Sequence, residues 1–561
     1  MKPGEMEIRF DTYYDYAQLT AALEQLAAAH PALAKLDSIG KSHEGRDLWL
    51  MTITNQATGH AAEKPAFWLD GNIHSVEIAA SMACLYSINE LLTQHGRDDQ
   101  VTRLVDRMAF YILPRINPDG VEQALATPPH YIRSGVRSYP FGDEDSGLSP
   151  GDVDGDGRRL TMRIADPTGP WKKSAKDPRA MIRRAPDEEG GEYYRMFPEG
   201  RVADYDGWVV RFARTLQGLD FNRNFPAIWE GEGTQRGAGP FPLSEAETQA
   251  VARFISERRN LTGAITYHTS GGIHLRPLSF KPDDDMPTED LWTYRLIGKR
   301  ATEITGYQAV SVYHDFRYHP KQTMTGAFDD WLYDQLGVFA WTTELWDIVG
   351  RATGKTDRKQ IEWYRDHPEE DDLALLKWDD EQNRGRGHVD WYPFQHPELG
   401  AVELGGWDAL YSLVNPPPHL LAEEIAKNHR FAMAQAAMAP RLEARHLAAE
   451  PLGEGRHKVT LVLENTGFLG THISRRAQER KAVRPIRIEL SGAEVLTGER
   501  RSEVGYLEGR SNKLDWTSDS ATDNRLRREW VVKGDAGTRL TIDVVAERAG
   551  TLHLALILAG G

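Results

Sequence analysis

The sequence contains a single cysteine, Cys84, among 561 residues. An internal disulfide is therefore excluded, and we expect this thiol to be a small buried side chain on an apolar helix face. The sequence also lacks a run of about 18 apolar residues, the length that a membrane-spanning helix requires. Its first residues, Met1 to Arg9, carry no apolar run typical of a signal peptide. We expect a cytoplasmic protein without membrane insertion, or a secreted or periplasmic one if a leader has been removed.

Positive charge is also in short supply. Lys and Arg number 67 against 83 Asp and Glu, which gives a formal net charge of −16. This balance argues against nucleic acid and anionic membranes as partners, because both would repel the chain, and it mildly favours cationic partners. At 561 residues the chain is longer than a single hydrophobic core usually supports, so we expect two domains.

Buried strands alternate with amphipathic helices through most of the first 440 residues. Residues 67–71 form a largely apolar strand that stops at Gly71-Asn72, and a helix pattern follows directly. A further strand, residues 108–113, runs into a rigid turn with the sequence Asn-Pro-Asp-Gly. Strand, helix and strand in this order favour parallel pairing. We therefore predict an α/β fold with a mixed, mainly parallel sheet flanked by helices.

Two long polar stretches interrupt this pattern, at about residues 121–205 and 347–400. Both read as irregular insertions or elaborated loops, which usually shape function. Beyond Arg441 short strands separated by turns follow one another, with no helical stretch. That pattern is typical of a small β-sandwich. We predict an α/β domain over residues 1–440 and an all-β sandwich over residues 441–561.

The first polar stretch contains alternating carboxylates at Asp152, Asp154 and Asp156, followed by Gly157. This spacing resembles the first half of an EF-hand calcium loop. The twelfth position of such a loop needs a bidentate Glu, but Arg163 stands there, so the segment is not an EF-hand. The pattern leaves two interpretations open, a turn stapled by Ca²⁺ and an ordinary acidic turn.

Metal-binding side chains follow three of the predicted strands. His74 and Glu77 come after the first strand, His268 ends the second and Glu344 the third. Open α/β sheets hold their sites at the carboxyl ends of strands, so these side chains should meet. Two His and one Glu form the ligand set of a catalytic zinc whose fourth position stays open to water. We expect His74, Glu77 and His268 to bind one Zn²⁺ per chain, with Glu344 as the general base.

Five motifs occur in order along the chain: His-x-x-Glu, Asn-Pro-Asp-Gly, Asp-x-Asn-Arg-Asn, His-x-Ser-Gly-Gly and Thr-x-Glu-Leu. With them the sequence resembles the zinc metallocarboxypeptidase family, the carboxypeptidase A/B-like peptidases. Residues 38–46 are similar to the N-terminal hairpin of that family. The resemblance covers about residues 8–435, interrupted by the two insertions, and five motifs in register make it specific. The C-terminal sandwich lies outside it.

The resemblance implies a role for each residue at a matching motif position. The implied zinc ligands are His74, Glu77 and His268. Glu344 would act as general base and proton shuttle. Asn222 and Arg223 would bind the C-terminal carboxylate of the substrate, a role that suits the two parallel hydrogen bonds of a guanidinium.

Two family positions are less certain in this sequence. The family has an arginine that polarises the scissile carbonyl; Arg133 fits best, Arg137 is the alternative, and Arg163 also stays open. Counting back from the general base places the family's mobile tyrosine on Gln322. Tyr318 lies four residues earlier and would replace it if the loop is longer here, so both positions stay open.

Asp329 bears on substrate preference. In the family, the residue before the Asp-Trp pair lies at the base of the pocket for the C-terminal side chain, and Asp there accompanies a preference for Lys and Arg. A carboxylate in such a pocket needs a cationic partner to offset its desolvation. The alternative is that Asp329 turns away to cap the following helix, and Phe328 or a loop residue lines an apolar pocket.

The expected function is hydrolysis of the C-terminal peptide bond of peptides or proteins. The alternative is a zinc amidase that acts on murein peptides or acyl-amino acids, since both reactions use the same metal set. A non-catalytic binding protein that uses the sandwich is a third interpretation, and the intact ligand and base residues argue against it. The sequence does not define an oligomeric state.

Overall fold

The structure is a computed structural model that describes residues 7–511 and 522–559. Residues 1–6 of the segment searched for a signal peptide lie outside the described residues, as do residues 512–521 and 560–561 of the predicted sandwich. The strands up to residue 440 are β1 (Ala34–Lys41), β2 (Asp47–Ile53), β3 (Ala66–Gly71), β4 (Ala109–Leu113), β5 (Gly147–Pro150), β6 (Thr161–Ala165), β7 (Trp171–Lys173), β8 (Met181–Arg183), β9 (Tyr194–Pro198), β10 (Gly200–Ala203), β11 (Leu261–Thr269), β12 (Ile273–Arg276), β13 (Gln308–Ser311), β14 (Phe339–Leu345), β15 (His388–His396) and β16 (Gly400–Trp407).

The α-helices of the same part of the chain are α1 (Tyr16–Ala29), α2 (Ala79–Gln94), α3 (Asp99–Arg107), α4 (Pro118–Leu125), α5 (Ala246–Ser256), α6 (Thr288–Thr305), α7 (Val312–Asp315), α8 (Phe328–Asp334), α9 (Ile348–Thr353), α10 (Gln360–Arg365), α11 (Glu369–Gln382) and α12 (Pro418–Ala436). Cys84 is fully buried in α2, as the sequence predicts. Among the described residues, no helix is both long and apolar enough to cross a membrane.

An eight-stranded sheet forms the centre of the molecule, in the order β1-β2-β4-β3-β11-β14-β12-β13. The strands from β4 to β14 pair in parallel, and antiparallel pairs flank them at β2–β4 and β14–β12. All nine residues of β11 and all six of β3 are buried. Such continuous burial is expected of parallel strands that are covered by helices on both faces. The predicted mixed, mainly parallel α/β fold is confirmed.

The two insertions fold together into a second sheet, with the order β15-β16-β6-β9-β7-β8. The expectation that residues 347–400 are irregular is wrong, because α9, α10, α11 and β15 lie there. The first insertion likewise contains β5 to β10. Most residues of the sheet's strands are half-buried or exposed, so the sequences show no long apolar run. The pairing of β16 with β6 joins segments far apart in the chain, which a local pattern does not reveal.

The C-terminal elements are β17 (Leu442–Gly453), β18 (Arg456–Asn465), α13 (Arg475–Glu479), β19 (Arg487–Ser491), β20 (Glu494–Thr497), β21 (Arg501–Glu503), β22 (Arg525–Lys533), β23 (Arg539–Ala546) and β24 (Gly550–Ile557). They form two antiparallel sheets, β17-β18-β22-β20 and β21-β19-β23-β24, around a shared apolar core. The expectation of no helix here misses the one-turn α13. The boundary between residues 440 and 441 stays a prediction.

The sandwich packs on the turn between α8 and β14. The buried Arg548 donates hydrogen bonds to the carbonyl oxygens of Leu336 (2.6 Å) and Gly337 (3.3 Å). Arg480 pairs with Asp334 at the end of α8 at 2.6 Å. Because these contacts use main-chain oxygens and a charge pair, the sandwich is fixed to the helix that carries Asp329 at its start.

Candidate metal centre and active site

The ends of three neighbouring strands bring the predicted ligands together. In the parallel pair β11–β14, His268 lies beside Glu344. The chain turns sharply after β3 at Asn72, whose backbone is left-handed with φ 54°. The Asn72 side chain holds this loop by donating to the carbonyl oxygen of Glu77 (2.8 Å) and accepting the N–H of Ser81 (3.1 Å). The loop therefore projects His74 and Glu77 over the end of β11.

His74, Glu77 and His268 converge on one point. The Nδ1 atoms of the two histidines lie 3.0 Å apart, and each lies within 2.9 Å of a Glu77 carboxylate oxygen. All three residues are at most 3% exposed. Two imidazole nitrogens and a carboxylate that face each other in a buried site are stabilised by a shared cation, either a proton or a metal ion. The donor set fits a catalytic Zn²⁺ that keeps one position open.

The electrostatics of this cluster also suit a cation. Burial alone would raise the pKa of Glu77, but the facing His74 and His268 outweigh burial and hold this pKa well below its usual range. For His268, burial lowers the pKa, yet the Glu77 carboxylate dominates and raises it to about 9. Zinc binding requires neutral histidine, so a metal must displace this proton.

Asp220 orients His74 through the ring nitrogen that faces away from Glu77. Its Oδ1 lies 3.1 Å from Nε2 of His74, and its Oδ2 accepts a 3.0 Å hydrogen bond from Nε of Arg133. A carboxylate on the outer nitrogen of a ligand histidine fixes the tautomer and leaves the inner nitrogen free for the metal. Sequence reasoning missed this role, although Asp220 opens the Asp-x-Asn-Arg-Asn motif. Its position before the carboxylate-binding pair was an available signal.

The three candidate arginines lie in different places. Arg133 lies at the metal centre, with Nη1 3.7 Å from Glu77 Oε1. Arg137 pairs with Glu245 at 2.7 Å instead. Arg163 is held in the insertion sheet, where it pairs with a glutamate of β16 at 2.8 Å. Arg133 is thus the one of the three beside the predicted ligands.

Glu344 faces the same cavity. It lines a space of about 40 Å³ together with His74, Arg133, Arg223 and His268. Its Oε2 atom is buried and has no hydrogen-bond partner among the described residues. Burial, followed by the charge of the neighbouring Glu77, raises the pKa of Glu344 to about 8. A free carboxylate oxygen with a raised pKa beside a metal site is suited to proton transfer.

The predicted carboxylate-binding pair, Asn222 and Arg223, also lines this cavity. Asn222 Oδ1 accepts the N–H of Phe328 at 2.8 Å, which fixes the start of α8. Arg223 donates to the carbonyl oxygen of Asn222 at 2.6 Å and contacts the sulfur of Met324. Within residues 7–511 and 522–559 the Arg223 guanidinium has no carboxylate in ion-pair contact. Its positive charge is available to a ligand.

Asp329 lines this cavity and Phe328 does not. Phe328 is fully buried against Phe225 and Trp331, with ring centroids 4.7 Å and 6.1 Å away. Asp329 is 2% exposed, and its Oδ2 has no hydrogen-bond partner among the residues described. Burial raises the pKa of this carboxyl group, and backbone N–H groups at the start of α8 lower it in part. The Asp329 carboxylate therefore contacts the first backbone N–H groups of α8 and also lines the cavity.

Two tyrosines border the site. Tyr318 lines the cavity, whereas Gln322 is exposed and is not among its lining residues. Tyr364 of α10 was missed by sequence reasoning, because it lies in an insertion to which no motif applies. Burial raises the pKa of the Tyr364 hydroxyl, a hydrogen bond with Ser270 lowers it, and the nearby Glu344 raises it again. The second insertion thus reaches the predicted base.

The acidic turn in the first insertion is separate from this centre. Carboxylate oxygens of Asp152, Asp154 and Asp156 lie within 4.8 Å of one another. Asp152 accepts the N–H groups of Gly155 (2.7 Å) and Gly157 (2.8 Å). Asp156 pairs with a neighbouring arginine at 2.6 Å. These bonds stabilise the turn without an ion, and calcium stays a prediction.

Comparisons with known proteins place the larger part of the chain in a known family. The zinc carboxypeptidase family model matches residues 19–353, and a domain family of unknown function matches residues 441–556. Carboxypeptidase B from Astacus astacus is 25% identical over 347 residues, which cover 60% of this chain and 87% of that protein. Carboxypeptidase B from Homo sapiens is 24% identical over 357 residues, which cover 60% of this chain and 64% of that protein.

Among solved structures, that of thrombin activatable fibrinolysis inhibitor is similar with 18% identity and a TM-score of 0.43. The similarity covers 76% of this chain and 74% of that chain. The family model spans more than half of the 561 residues and includes all the predicted ligands and the predicted base. The chain belongs to the zinc carboxypeptidase family.

Proposed function

We propose that this protein is a zinc carboxypeptidase that removes the C-terminal residue of peptides or proteins and prefers Lys or Arg at that position. The observation that carries the proposal is the set of charged groups around one small cavity. His74, His268 and Glu344 line it beside the buried Glu77, and Arg223 and Asp329 line the same cavity. These charges complement a residue that carries a carboxylate and a cationic side chain.

The chain binds the substrate, holds the metal and transfers the proton. Arg223 and Asn222 bind the terminal carboxylate and place the last peptide bond beside Glu344. Zn²⁺ held by His74, Glu77 and His268 would supply Lewis acidity to the attacked carbonyl and to water. Glu344 accepts the proton of the attacking water and returns it to the leaving amine.

Two further groups act on the developing charge. Arg133, held by Asp220, donates hydrogen bonds to the carbonyl oxygen as it becomes an oxyanion. Tyr318 borders the same cavity and is our choice for the phenol that bonds the reacting amide.

The basic preference is supported by the environment of Asp329. Its Oδ2 is buried without a partner, and its pKa is raised by that burial. A substrate ammonium or guanidinium would supply the missing partner and lower the pKa again. Two carboxypeptidases B among the curated relatives are in keeping with this preference.

Product analysis tests the proposal. Matched peptides that end in Arg with a free or an amidated terminus are incubated with the zinc enzyme, and the products are identified by mass. We expect release of a single free arginine from the free-acid peptide only. Cleavage of the amidated peptide, or of acyl-amino acids and murein peptides instead, would favour the amidase alternative.

A further inference from the structure

A second and larger cavity opens beside the small one. Its volume is about 530 Å³, and it shares His74 and Arg133 with the small cavity. Apart from Val76 in the loop after β3, the remaining wall comes from the first insertion and from the segment after the second one. Its main lining residues are Val76, Tyr131, Arg159, Leu160, Trp407 and Leu410. The insertion sheet therefore extends the site beyond the metal centre.

The position of this cavity defines which part of a substrate reaches it. The proposed function places the C-terminal residue between Arg223 and Asp329 in the small cavity, and the present inference rests on that placement. The larger cavity lies beyond His74 and Arg133, without Arg223 or Asp329 in its wall. The residues on the N-terminal side of the cleaved bond must then enter it.

Arg159 is the charged group of this wall that has no acidic partner. Its Cζ lies 4.3 Å from the centroid of the Tyr131 ring. Two other arginines of the first insertion have acidic partners, Arg158 with Asp156 (2.6 Å) and Arg163 with Glu403 (2.8 Å). No carboxylate forms an ion pair with Arg159 among the described residues.

Glu199 is the acidic residue that acts on Arg159, but the two form no ion pair among the described residues. Burial lowers the pKa of its guanidinium, and Glu199 raises it in part. The two oxygens of Glu199 are used by the N–H groups of Val153 and Leu160, each at 2.7 Å. These bonds fix the backbone next to Arg159. A half-buried guanidinium that is fixed on an aromatic ring and lacks a counter-ion is prepared to bind an anion.

We propose that the larger cavity is a subsite for a substrate carboxylate, bound by Arg159, on an acidic residue just before the C-terminal residue. The guanidinium stacked on Tyr131 offers parallel N–H donors to both oxygens of such a group. The substrate class is then a peptide with an acidic residue followed by a basic one at its end. Trp407 and Leu410 contact the apolar part of the same residue.

Kinetics on matched peptides test this subsite. The peptides share a blocked N-terminus and a C-terminal Arg, and carry Glu, Gln or Lys at the preceding position; a second set moves the Glu one residue further away. Cleavage of each peptide is measured with the wild-type protein, with Arg159→Gln and with the control variant Arg183→Gln. Arg183 also lies over an aromatic ring, Trp171 at 4.1 Å, but it is exposed and outside this cavity.

We expect kcat/KM for the Glu peptide to exceed that for the Gln peptide about tenfold in wild type and in Arg183→Gln, from one charge-assisted hydrogen-bond pair. In Arg159→Gln the ratio should fall to about one while the Gln peptide is cleaved as before. The second peptide set shows whether the recognised carboxylate lies directly before the C-terminal Arg or one residue further away. An equal ratio in wild type and Arg159→Gln for both sets would overturn the proposal.

A binding measurement separates this inference from the proposed function. Calorimetry on the zinc-loaded Glu344→Gln protein, with and without Arg159→Gln, gives Kd for the same peptides without turnover. We expect about tenfold tighter binding of the Glu peptide only where Arg159 is present. Equal Kd ratios with and without Arg159 would overturn the subsite. If wild type cleaves no peptide, the proposed function fails, and the Kd ratio still decides the subsite.

Discussion

The metal centre and the insertion sheet both border cavities lined by Arg133, but they differ in how deeply their residues are buried. The centre lies at the ends of strands such as β11, in which all nine residues are buried. Most residues of the insertion sheet are half-buried or exposed, including all three of β7, and the apolar core that it shares with β5 and β10 contains five buried residues. Groups that do chemistry thus lie on the rigid part of the molecule, and groups that line the approach lie on the more exposed part.

This difference predicts how each region responds to substitution. At the metal centre, every ligand is buried, and removing one leaves uncompensated polar groups. In the insertion sheet, a changed side chain such as Arg159 alters a half-exposed wall and leaves the central sheet intact. Substitutions at the centre should abolish the reaction, and substitutions in the wall should change which substrates are used.

The largest effect is expected from His268→Ala. Removing one of three ligands should abolish stoichiometric zinc binding, and activity should fall to background. Zinc content by mass spectrometry of the purified protein measures this. Because the metal must displace the proton that Glu77 holds on His268, whose pKa is raised to about 9, zinc affinity in wild type should fall as the pH falls below that value. A full equivalent of zinc in His268→Ala would contradict the ligand assignment.

The next largest effect is expected from Glu344→Gln. The amide keeps the size of the side chain but cannot accept the proton from water, so kcat should fall roughly 10²–10⁴-fold. Zinc content and melting temperature should stay at the wild-type values. Tyr364→Phe is the matched control, since it changes the neighbouring hydroxyl and leaves the carboxylate in place. Near-native kcat in Glu344→Gln would remove this residue from the mechanism.

A smaller and selective effect is expected from Asp329→Ala. The loss of a buried counter-charge should reduce kcat/KM on peptides ending in Arg or Lys about 10- to 100-fold, with little loss on peptides ending in Leu. Because burial raises the pKa of Asp329, the wild-type preference for Arg should weaken at a higher pH than that at which an ordinary Asp is protonated. Protonation removes the negative charge that attracts the substrate.

The control for this experiment lies on the same helix. Asp334 is at the other end of α8, outside the cavity, and pairs with Arg480 of the sandwich. Asp334→Asn should therefore leave the ratio of Arg to Leu cleavage unchanged. Better cleavage after Leu than after Arg by the wild type would end the idea of a basic preference.

The meeting of His74, Glu77, His268 and Glu344 at neighbouring strand ends could be predicted from the sequence for a physical reason. Parallel strands must be apolar throughout because both faces are buried, so their ends are visible as the points where His268 and Glu344 interrupt the run. Parallel pairing then requires those ends to meet. The position of Asp329 followed from the unbroken spacing back from Glu344, since α8 and β14 are joined by a short turn.

The insertion wall could not be predicted in this way. The strands of its sheet mix buried, half-buried and exposed residues without a regular period, and β16 finds its partner β6 more than two hundred residues earlier. Neither Tyr364 nor Arg159 belongs to a motif. Asp220 is a different case from Tyr364 and Arg159. Its motif is recognisable in the sequence, but its contact with His74 is not.

The smallest effect concerns the acidic turn of this wall. Three carboxylates within 4.8 Å of one another repel, with one arginine nearby to offset them, so we expect a weak Ca²⁺ site with Kd on the order of 10⁻⁴–10⁻³ M. At tenfold excess over Kd, Ca²⁺ would stabilise the folded protein by about 1.4 kcal/mol, which a thermal shift would detect. Calorimetry should give one equivalent in wild type and none in Asp152→Asn. The matched control is Asp166→Asn, since Asp166 also accepts a backbone N–H (2.7 Å) and pairs with an arginine in the same insertion but has no second carboxylate in its turn. Equal calcium uptake by wild type and Asp152→Asn, or none by either, would leave an ordinary turn.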